Sequence, residues 1–151
     1  EARRHRIASL GLPIELINPN ETPVRQTVRE KTFEELGCDC AIECSGNPRA
    51  ISDCIASLRS QGTAVLVGLS NAKVEIDPFE MIIRDIRLQG SLCYPTTLWP
   101  RVYSMIQSGK LPVDRVVDAE IALDDLIEKG FEPLLDPNGS MLKILVDISN
   151  T

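Results

Sequence analysis

The chain has 151 residues, 43% of them hydrophobic, and its 16 lysine and arginine residues against 22 aspartate and glutamate residues give a formal net charge of −6. A chain of this length is expected to form one globular domain with a hydrophobic core. The acidic balance disfavours a nucleic-acid partner, because proteins that bind phosphate backbones usually carry a basic face. No apolar run reaches the ~20 residues that cross a bilayer, and the N-terminus lacks the apolar segment of a signal peptide. These features predict a cytoplasmic protein with no membrane partner.

The five cysteines are not arranged as a disulfide framework. Their number is odd, and Cys38, Cys40 and Cys44 fall in one predicted strand, which is typical of reduced thiols. Even spacing separates these sulfur atoms by ~7 Å or more along one face, too far to share one zinc ion, so we expect them to be small buried hydrophobic residues. With His5 as the only histidine, the chain offers neither a zinc site nor a Ser-His-Asp arrangement.

Short apolar runs alternate along the chain with segments of helical period. Helix boundaries are indicated by glycine stops, by Asn47 as the N-cap of a helix that begins at Pro48, and by the pair Asp77-Pro78. The predicted elements, in chain order, are a helix over residues 1–10, a strand over 14–17, a helix over 22–36, a strand over 38–44, a helix over 48–60, a strand over 63–68, a short helix from 77, a strand over 86–91, helices over 98–107 and 123–135, and a strand over 141–148.

Strands and helices that alternate at this spacing predict right-handed crossovers and a parallel sheet covered on both sides. The fold class is therefore α/β. The pattern changes after residue 92, where helices and one terminal strand replace the regular alternation. We expect the chain to leave the sheet for another layer there, which divides it into residues 1–92 and residues 93–151.

Three predicted strands end in small or polar residues: Ser45-Gly46-Asn47, Gly68-Leu69-Ser70 and Ser91-Leu92-Cys93-Tyr94. In a parallel sheet the carboxyl ends of the strands share one rim, and ligands bind outside that rim. Each glycine also has a simpler interpretation, because glycine ends strands and forms turns without any ligand. Three such ends on one rim favour a binding edge.

The motifs GCDCAIECSGNPRAI, GTAVLVGL, IRLQGSLCY and SGKL follow one another along the chain. In this order and spacing they resemble the C-terminal half of the zinc-dependent medium-chain dehydrogenase/reductase family, and most of all its sorbitol, 2,3-butanediol and threonine dehydrogenase branch. Residues 1–12 resemble the helix after the second strand of that family's nucleotide-binding fold, and GFEPLLDPNGSMLKILV resembles its closing helix and strand. The likeness covers essentially the whole chain.

The resemblance implies an incomplete Rossmann-type, doubly wound parallel sheet whose first two strands are missing, followed by a C-terminal helix–strand segment. Residues 1–92 would be a partial dinucleotide-binding domain, and residues 93–151 would return to the catalytic domain. The implied cofactor is NAD, with NADP left open. The implied cofactor-binding residues are Arg3 near the adenosine ribose, Ser45, Gly46 and Asn47 at the adenine-ribose side, Val67, Gly68 and Leu69 at the nicotinamide ribose and carboxamide, and Ser91, Leu92 and Cys93 at the nicotinamide end.

In this interpretation Gly46 is small because the dinucleotide passes over the strand end. Gly68→Val is then expected to weaken NAD binding while leaving the fold largely intact, because a branched side chain would occupy space that the ligand needs. The simpler alternative is that Gly68 serves only to adopt a positive φ angle, and it predicts lost stability with unchanged affinity.

The resemblance further implies an oxidoreductase that transfers hydride between a secondary alcohol or polyol and the nicotinamide cofactor. The catalytic zinc would be supplied by an N-terminal domain outside this chain, so the 151 residues alone are expected to be inactive. The alternative is a truncated, non-catalytic relative that acts as a structural or oligomerisation module. A homodimer or homotetramer is expected, with its interface near residues 73–89, because the apolar edge VEI would otherwise invite uncontrolled pairing.

Overall fold

A computed structural model describes residues 2–149, which divide into two compact units. One unit is Ile17–Pro95, and the other combines residues 2–16 with residues 96–149. The predicted first helix and C-terminal segment also include Glu1, Asn150 and Thr151, which lie outside the described residues. No helix within residues 2–149 combines the length and the apolar character needed to span a membrane. The functional division after residue 92 stays a prediction.

Helices and strands alternate along both units. The helices are α1 (Ala2–Ala8), α2 (Val24–Glu30), α3 (Pro48–Ser57), α4 (Pro78–Ile83), α5 (Trp99–Gln107) and α6 (Glu132–Leu135), and the strands are β1 (Cys38–Glu43), β2 (Leu58–Leu66), β3 (Arg87–Gly90), β4 (Val117–Ala122) and β5 (Lys143–Asp147). The α/β class predicted from the sequence is confirmed.

In the unit Ile17–Pro95 the strands form a parallel sheet in the order β1-β2-β3. Its core is centred on Leu58 and Ala64, both 0% exposed, together with Ile86. Apolar side chains from β1, α3 and α4 pack against this cluster. Burial of these side chains is what holds the strands and helices of the unit together.

One face of β1 is exposed, which corrects the expectation of a sheet covered on both sides. Successive side chains of a strand point to opposite faces, so Cys40, Ile42 and Cys44 share one face and Glu43 lies on the other. Ile42 is 63% exposed, Cys40 and Cys44 are exposed, and Glu43 is buried. The prediction that the strand cysteines are buried is therefore wrong for Cys40 and Cys44, because nothing in the described chain covers their face. All five cysteines are free.

The junction between α3 and β2 comes earlier than predicted. The predicted helix extends to residue 60, whereas α3 ends at Ser57 and Leu58 is already extended and fully buried. Leu58 pairs with Cys38 and Thr63 pairs with Cys40, so β2 bulges between these two points. Gln61 lies in the bulge at φ 63°. The burial of Leu58 draws the chain into the sheet before the helical pattern in the sequence ends.

Two predictions near the start of this unit need correction. Residues 14–17 do not form a strand; Ile14 is 50% and Leu16 is 41% exposed, and neither pairs with another strand. An apolar run does not form a strand when no neighbouring strand can make hydrogen bonds with its backbone N–H and C=O groups. The helix predicted over residues 22–36 is shortened to α2, followed by a 3-10 turn at Phe33–Glu35.

The second unit contains a two-stranded parallel sheet of β4 and β5. Strand β4 was not predicted from the sequence, because Val117–Ala122 contains two acidic residues and does not read as an apolar run. The helix predicted over residues 123–135 is divided into a 3-10 turn, a π-helical segment (Leu126–Phe131) and α6. Gly130 in the π-helical segment is buried, and a Cβ atom there would lie 3.2 Å from Ile121 Cδ1.

The carboxylate of Asp118 on β4 holds three elements of this unit together. It accepts hydrogen bonds from Arg6 Nε on α1 (3.1 Å), from the Leu142 N–H (2.6 Å) and from the Lys143 N–H (3.2 Å) at the start of β5. The hydrogen bond from Leu142, opposed by burial and aided by those from Lys143 and Arg6, keeps the pKa of Asp118 below its usual value. A single half-buried carboxylate therefore ties α1 to the two-stranded sheet.

Candidate functional site

The three predicted strand ends lie side by side on one rim. Glu43, the last residue of β1, is in register with Leu66, the last of β2, and Leu66 is in register with Gly90, the last of β3. The Val67 N–H donates to the Glu43 carbonyl (2.8 Å) and the Ser91 N–H donates to the Leu66 carbonyl (2.9 Å). The expectation that the three turns share one rim is confirmed.

Gly46 and Gly68 pack directly against each other at this rim. A Cβ atom at Gly46 would lie 2.0 Å from the Leu69 carbonyl oxygen, and a Cβ atom at Gly68 would lie 2.1 Å from the Gly46 nitrogen. Gly46 is buried and also adopts φ 69°, a conformation that favours glycine. The close packing of the two turns is thus sufficient to explain why both positions are glycine.

This contact corrects the expectation that Gly68→Val leaves the fold largely intact, because the first atom of any side chain already collides with the Gly46 backbone. The alternative interpretation of Gly68 is also wrong. Gly68 is not among the glycines with a positive φ angle; close backbone approach, and not an unusual dihedral angle, excludes a side chain there.

A buried carboxylate organises the first of the three turns. Glu43 is 2% exposed, and its Oε1 accepts from the Ser45 N–H (2.7 Å), the Ser45 hydroxyl (2.5 Å) and the Gly46 N–H (3.0 Å). Its Oε2 also accepts from the Gly46 N–H (3.0 Å). Burial acts to raise the pKa of Glu43, but the hydrogen bonds from Ser45 and Gly46 outweigh it and leave the pKa below its usual value. The carboxylate is therefore ionised beneath the rim at neutral pH.

Glu43 is absent from the residues singled out in the sequence. The signal that could have identified it is an acidic residue at the end of a mostly apolar strand, two residues before a Ser-Gly turn. Buried carboxylates need hydrogen-bond partners, and the exposed backbone N–H groups of a small-residue turn provide them.

Asn47 closes the same turn and starts α3. Its Oδ1 accepts from the Arg49 N–H (2.9 Å), as predicted for an N-cap, and its own N–H donates to Ser45 Oγ (3.1 Å). The Arg49 guanidinium donates to Asn20 Oδ1 (3.2 Å) and to the Pro19 carbonyl. The first turn is therefore fixed by Glu43 at the end of β1 and by Asn47 at the start of α3.

The second and third turns expose apolar side chains. Val67 is 44%, Leu69 84% and Leu92 78% exposed. Ser91 and Cys93 are exposed as well, and Cys93 adopts φ 52°, a strained conformation for a residue with a side chain. Exposed apolar groups beside polar backbone at the carboxyl edge of a parallel sheet form the kind of surface to which ligands bind.

Arg3, the remaining predicted site residue, belongs to the other unit. Its guanidinium donates from Nη2 to the Leu134 carbonyl (2.7 Å) and from Nε to the Met141 carbonyl (3.3 Å). These bonds attach α1 to α6 and to the segment before β5. Its predicted contact with an adenosine ribose stays a prediction, as do the cofactor contacts of the other residues.

The family that the sequence resembles carries zinc, and the described residues do not provide a place for it. Within residues 2–149, no three His, Cys, Asp or Glu side chains are grouped so that they could hold a metal ion. Cys40 and Cys44 are exposed thiols, and the chain has a single histidine. No step that uses zinc is assigned to these residues.

Comparison with known proteins assigns the chain to a protein family. A family profile described as zinc-binding dehydrogenase matches residues 1–108. (R,R)-butanediol dehydrogenase from Bacillus subtilis (strain 168) is 32% identical over 145 residues, which cover 95% of this chain and 40% of that protein. Sorbitol dehydrogenase from Gallus gallus is 30% identical over 140 residues, which cover 91% of this chain and 38% of that protein. The chain belongs to the zinc-binding dehydrogenase family.

Solved structures agree with this assignment. The crystal structure of 2R,3R-butanediol dehydrogenase from Bacillus subtilis matches with a TM-score of 0.85, covering 96% of this chain and 40% of that one. A zinc-binding dehydrogenase from Sinorhizobium meliloti 1021, bound to NADP, matches with a TM-score of 0.81 at 25% identity, covering 97% of this chain and 42% of that one. The chain thus spans about two fifths of the length of these relatives.

Proposed function

We propose that this chain is the cofactor-binding part of an oxidoreductase that transfers hydride between a secondary alcohol or polyol and NAD. The observation that supports this proposal is the rim formed by Glu43, Leu66 and Gly90 in register, with one small-residue turn after each strand. Family membership gives the reaction class, and the names of the relatives, butanediol and sorbitol dehydrogenase, supply the substrate class. Nicotinamide cofactors supply the hydride chemistry when they are bound.

In this proposal the chain's own residues bind and orient the nicotinamide half. Leu69 and Leu92 offer exposed apolar surface for the ring. The backbone N–H groups of Ser45 and Gly46 donate to the Glu43 carboxylate, and those of Val67 and Gly68 donate to the Glu43 carbonyl. Carbonyl oxygens of the rim can accept hydrogen bonds from the ribose hydroxyl and carboxamide N–H groups of the cofactor.

Calorimetric titration of NAD⁺, NADH and NADP⁺ into the protein that carries this chain tests the proposal. Leu92→Asn replaces apolar surface on the rim by an uncharged amide, and Leu135→Asn is a matched control because Leu92 and Leu135 are both 78% exposed. We expect saturable NAD binding, about tenfold weaker (~1.4 kcal/mol) in Leu92→Asn and unchanged in Leu135→Asn. Bound NAD should also slow alkylation of the exposed Cys93 thiol. Equal affinities in the two variants, or no binding by the unsubstituted protein, would refute the proposal.

We also propose that the protein assembles as a homodimer or homotetramer through the edge of the sheet near residues 73–89. Strand β3 lies at the edge of the three-stranded sheet. On α4, the helix that precedes β3 in the chain, Phe79, Ile82 and Ile83 are 67%, 77% and 58% exposed. Residues 73–76, which carry the apolar VEI sequence, are not in a strand. An exposed edge with apolar neighbours is the usual setting for pairing with a second copy.

A further inference from the structure

Glu43 is connected to both turns that the proposed function places at the cofactor. Its carboxylate accepts hydrogen bonds from three donor groups of Ser45 and Gly46 in the first turn. Its main-chain carbonyl accepts from the N–H groups of Val67 (2.8 Å) and Gly68 (3.0 Å) in the second. Glu43 therefore links the turn that follows β1 to the turn that follows β2 and helps to fix the spacing between them.

The carboxylate also fills the space between the turns. Glu43 Oε2 lies 2.7 Å from the position that a Cβ atom at Gly68 would take, and Glu43 is 2% exposed. Its hydrogen-bond donors at the turn, two backbone N–H groups and one hydroxyl, are neutral. The negative charge is thus screened from solvent and lies directly beneath the turn Val67–Gly68–Leu69.

A buried negative charge does not act equally on the two redox forms of a nicotinamide. The ring is cationic in the oxidised cofactor and neutral in the reduced one. Because Coulomb interactions weaken slowly with distance where water is excluded, a carboxylate beneath the binding turn stabilises the cation and leaves the neutral ring almost unaffected.

We propose that Glu43 is a positioning residue of the cofactor site, which holds the two turns at their spacing and whose buried charge favours the oxidised over the reduced nicotinamide. This inference rests on the proposed function. It concerns affinity and redox preference, and it assigns Glu43 no contact with the substrate and no proton transfer.

Glu43→Gln tests the charge, because glutamine has nearly the same shape and no charge. Dissociation constants for NAD⁺ and NADH are measured by calorimetry on the protein that carries this chain, at a temperature where melting curves show every variant folded. We expect the NAD⁺ dissociation constant to rise about threefold to tenfold more than that of NADH. Glu21→Gln is the control, since Glu21 is an exposed glutamate of the same unit, and its ratio of dissociation constants should match that of the unsubstituted protein.

A purely structural role for Glu43 predicts a different result: a lower melting temperature, with both affinities reduced by the same factor or not at all. Either pattern would overturn the charge preference. Failure of the unsubstituted protein to bind either cofactor form would instead refute the proposed function, and this inference with it, before any variant is examined.

Ser45→Ala keeps the inference testable if Glu43→Gln does not fold. It removes the 2.5 Å hydroxyl hydrogen bond while the charge stays in place. Since only positioning is disturbed, both dissociation constants should rise together, by about threefold. No change in either constant would contradict the positioning role.

Discussion

The backbone of Gly68 packs on the backbone of Gly46 so closely that neither position has room for a side chain: Cβ atoms there would lie 2.1 Å from the Gly46 nitrogen and 2.0 Å from the Leu69 carbonyl oxygen. The two turns at the ends of β1 and β2 are therefore a single packed feature. The two turns fill the space between them without a ligand, so a cofactor that binds this rim lies on top of their packed backbones.

Gly68→Val is expected to destabilise the protein. The new side chain must displace the Gly46 backbone, and overpacking of this kind costs about 1 to 3 kcal/mol of unfolding free energy. Gly90→Val is the matched control, because a Cβ atom at Gly90 meets nothing within 4 Å. Urea unfolding curves for both variants measure the difference. Indistinguishable midpoints for Gly68→Val and Gly90→Val would show that the close contact is absent in solution.

Asp118→Asn is expected to weaken the unit formed by residues 2–16 and 96–149. The amide keeps the shape but loses the charge that faces Arg6 and the N–H groups of Leu142 and Lys143. Hydrogen bonds to charged groups contribute about 1.5 to 3 kcal/mol each, and part of this is retained by the amide oxygen. Asp124→Asn, at an exposed aspartate, removes the same charge and should leave the unfolding free energy nearly unchanged.

The same carboxylate predicts a pH dependence. Because the pKa of Asp118 is lowered in the folded protein, its stabilising contribution is complete above the unfolded-state pKa of about 3.9 and is lost as the pH falls through the folded-state pKa. Unfolding free energies measured from pH 6 down to pH 3 should therefore fall less steeply for Asp118→Asn than for the unsubstituted protein. Parallel curves would mean that the carboxylate is not held as described.

Ile82→Lys is expected to weaken self-association through the β3 edge. Ile82, on the helix that precedes β3, is 77% exposed, and a lysine there introduces a charge that a two-fold contact would bring against its own copy. Sedimentation velocity over a concentration series measures the effect. Leu135→Lys serves as the comparison, since Leu135 is 78% exposed in the other unit. A protein that sediments as a monomer without any substitution would remove the basis of the oligomer proposal.

The sequence predicted the elements whose boundaries depend on local chemistry. Asn47 and Asp77 cap their helices through their own side chains, and these signals are visible in the sequence. Strand β1 and the shared rim were predicted from apolar runs and turn residues. The errors arise where long-range packing determines the secondary structure. Leu58 is extended and not helical because it is buried in the core, and residues 14–17 have no strand with which to pair. Glu43 was missed because its importance depends on partners across the turn and on the neighbouring strand.

One unit is assembled from the first residues of the chain and from its last third, with the whole of Ile17–Pro95 between them. Arg6 and Asp118, which bind each other, are separated by 112 positions. On a ribosome, α1 emerges long before β4 and β5 have been synthesised, whereas β1, β2 and β3 of Ile17–Pro95 are synthesised one after another. Domains tend to fold as their sequence becomes available, so the sheet of Ile17–Pro95 is expected to form first. Arg6 on α1 can bind Asp118 only after β4 and β5 have been translated.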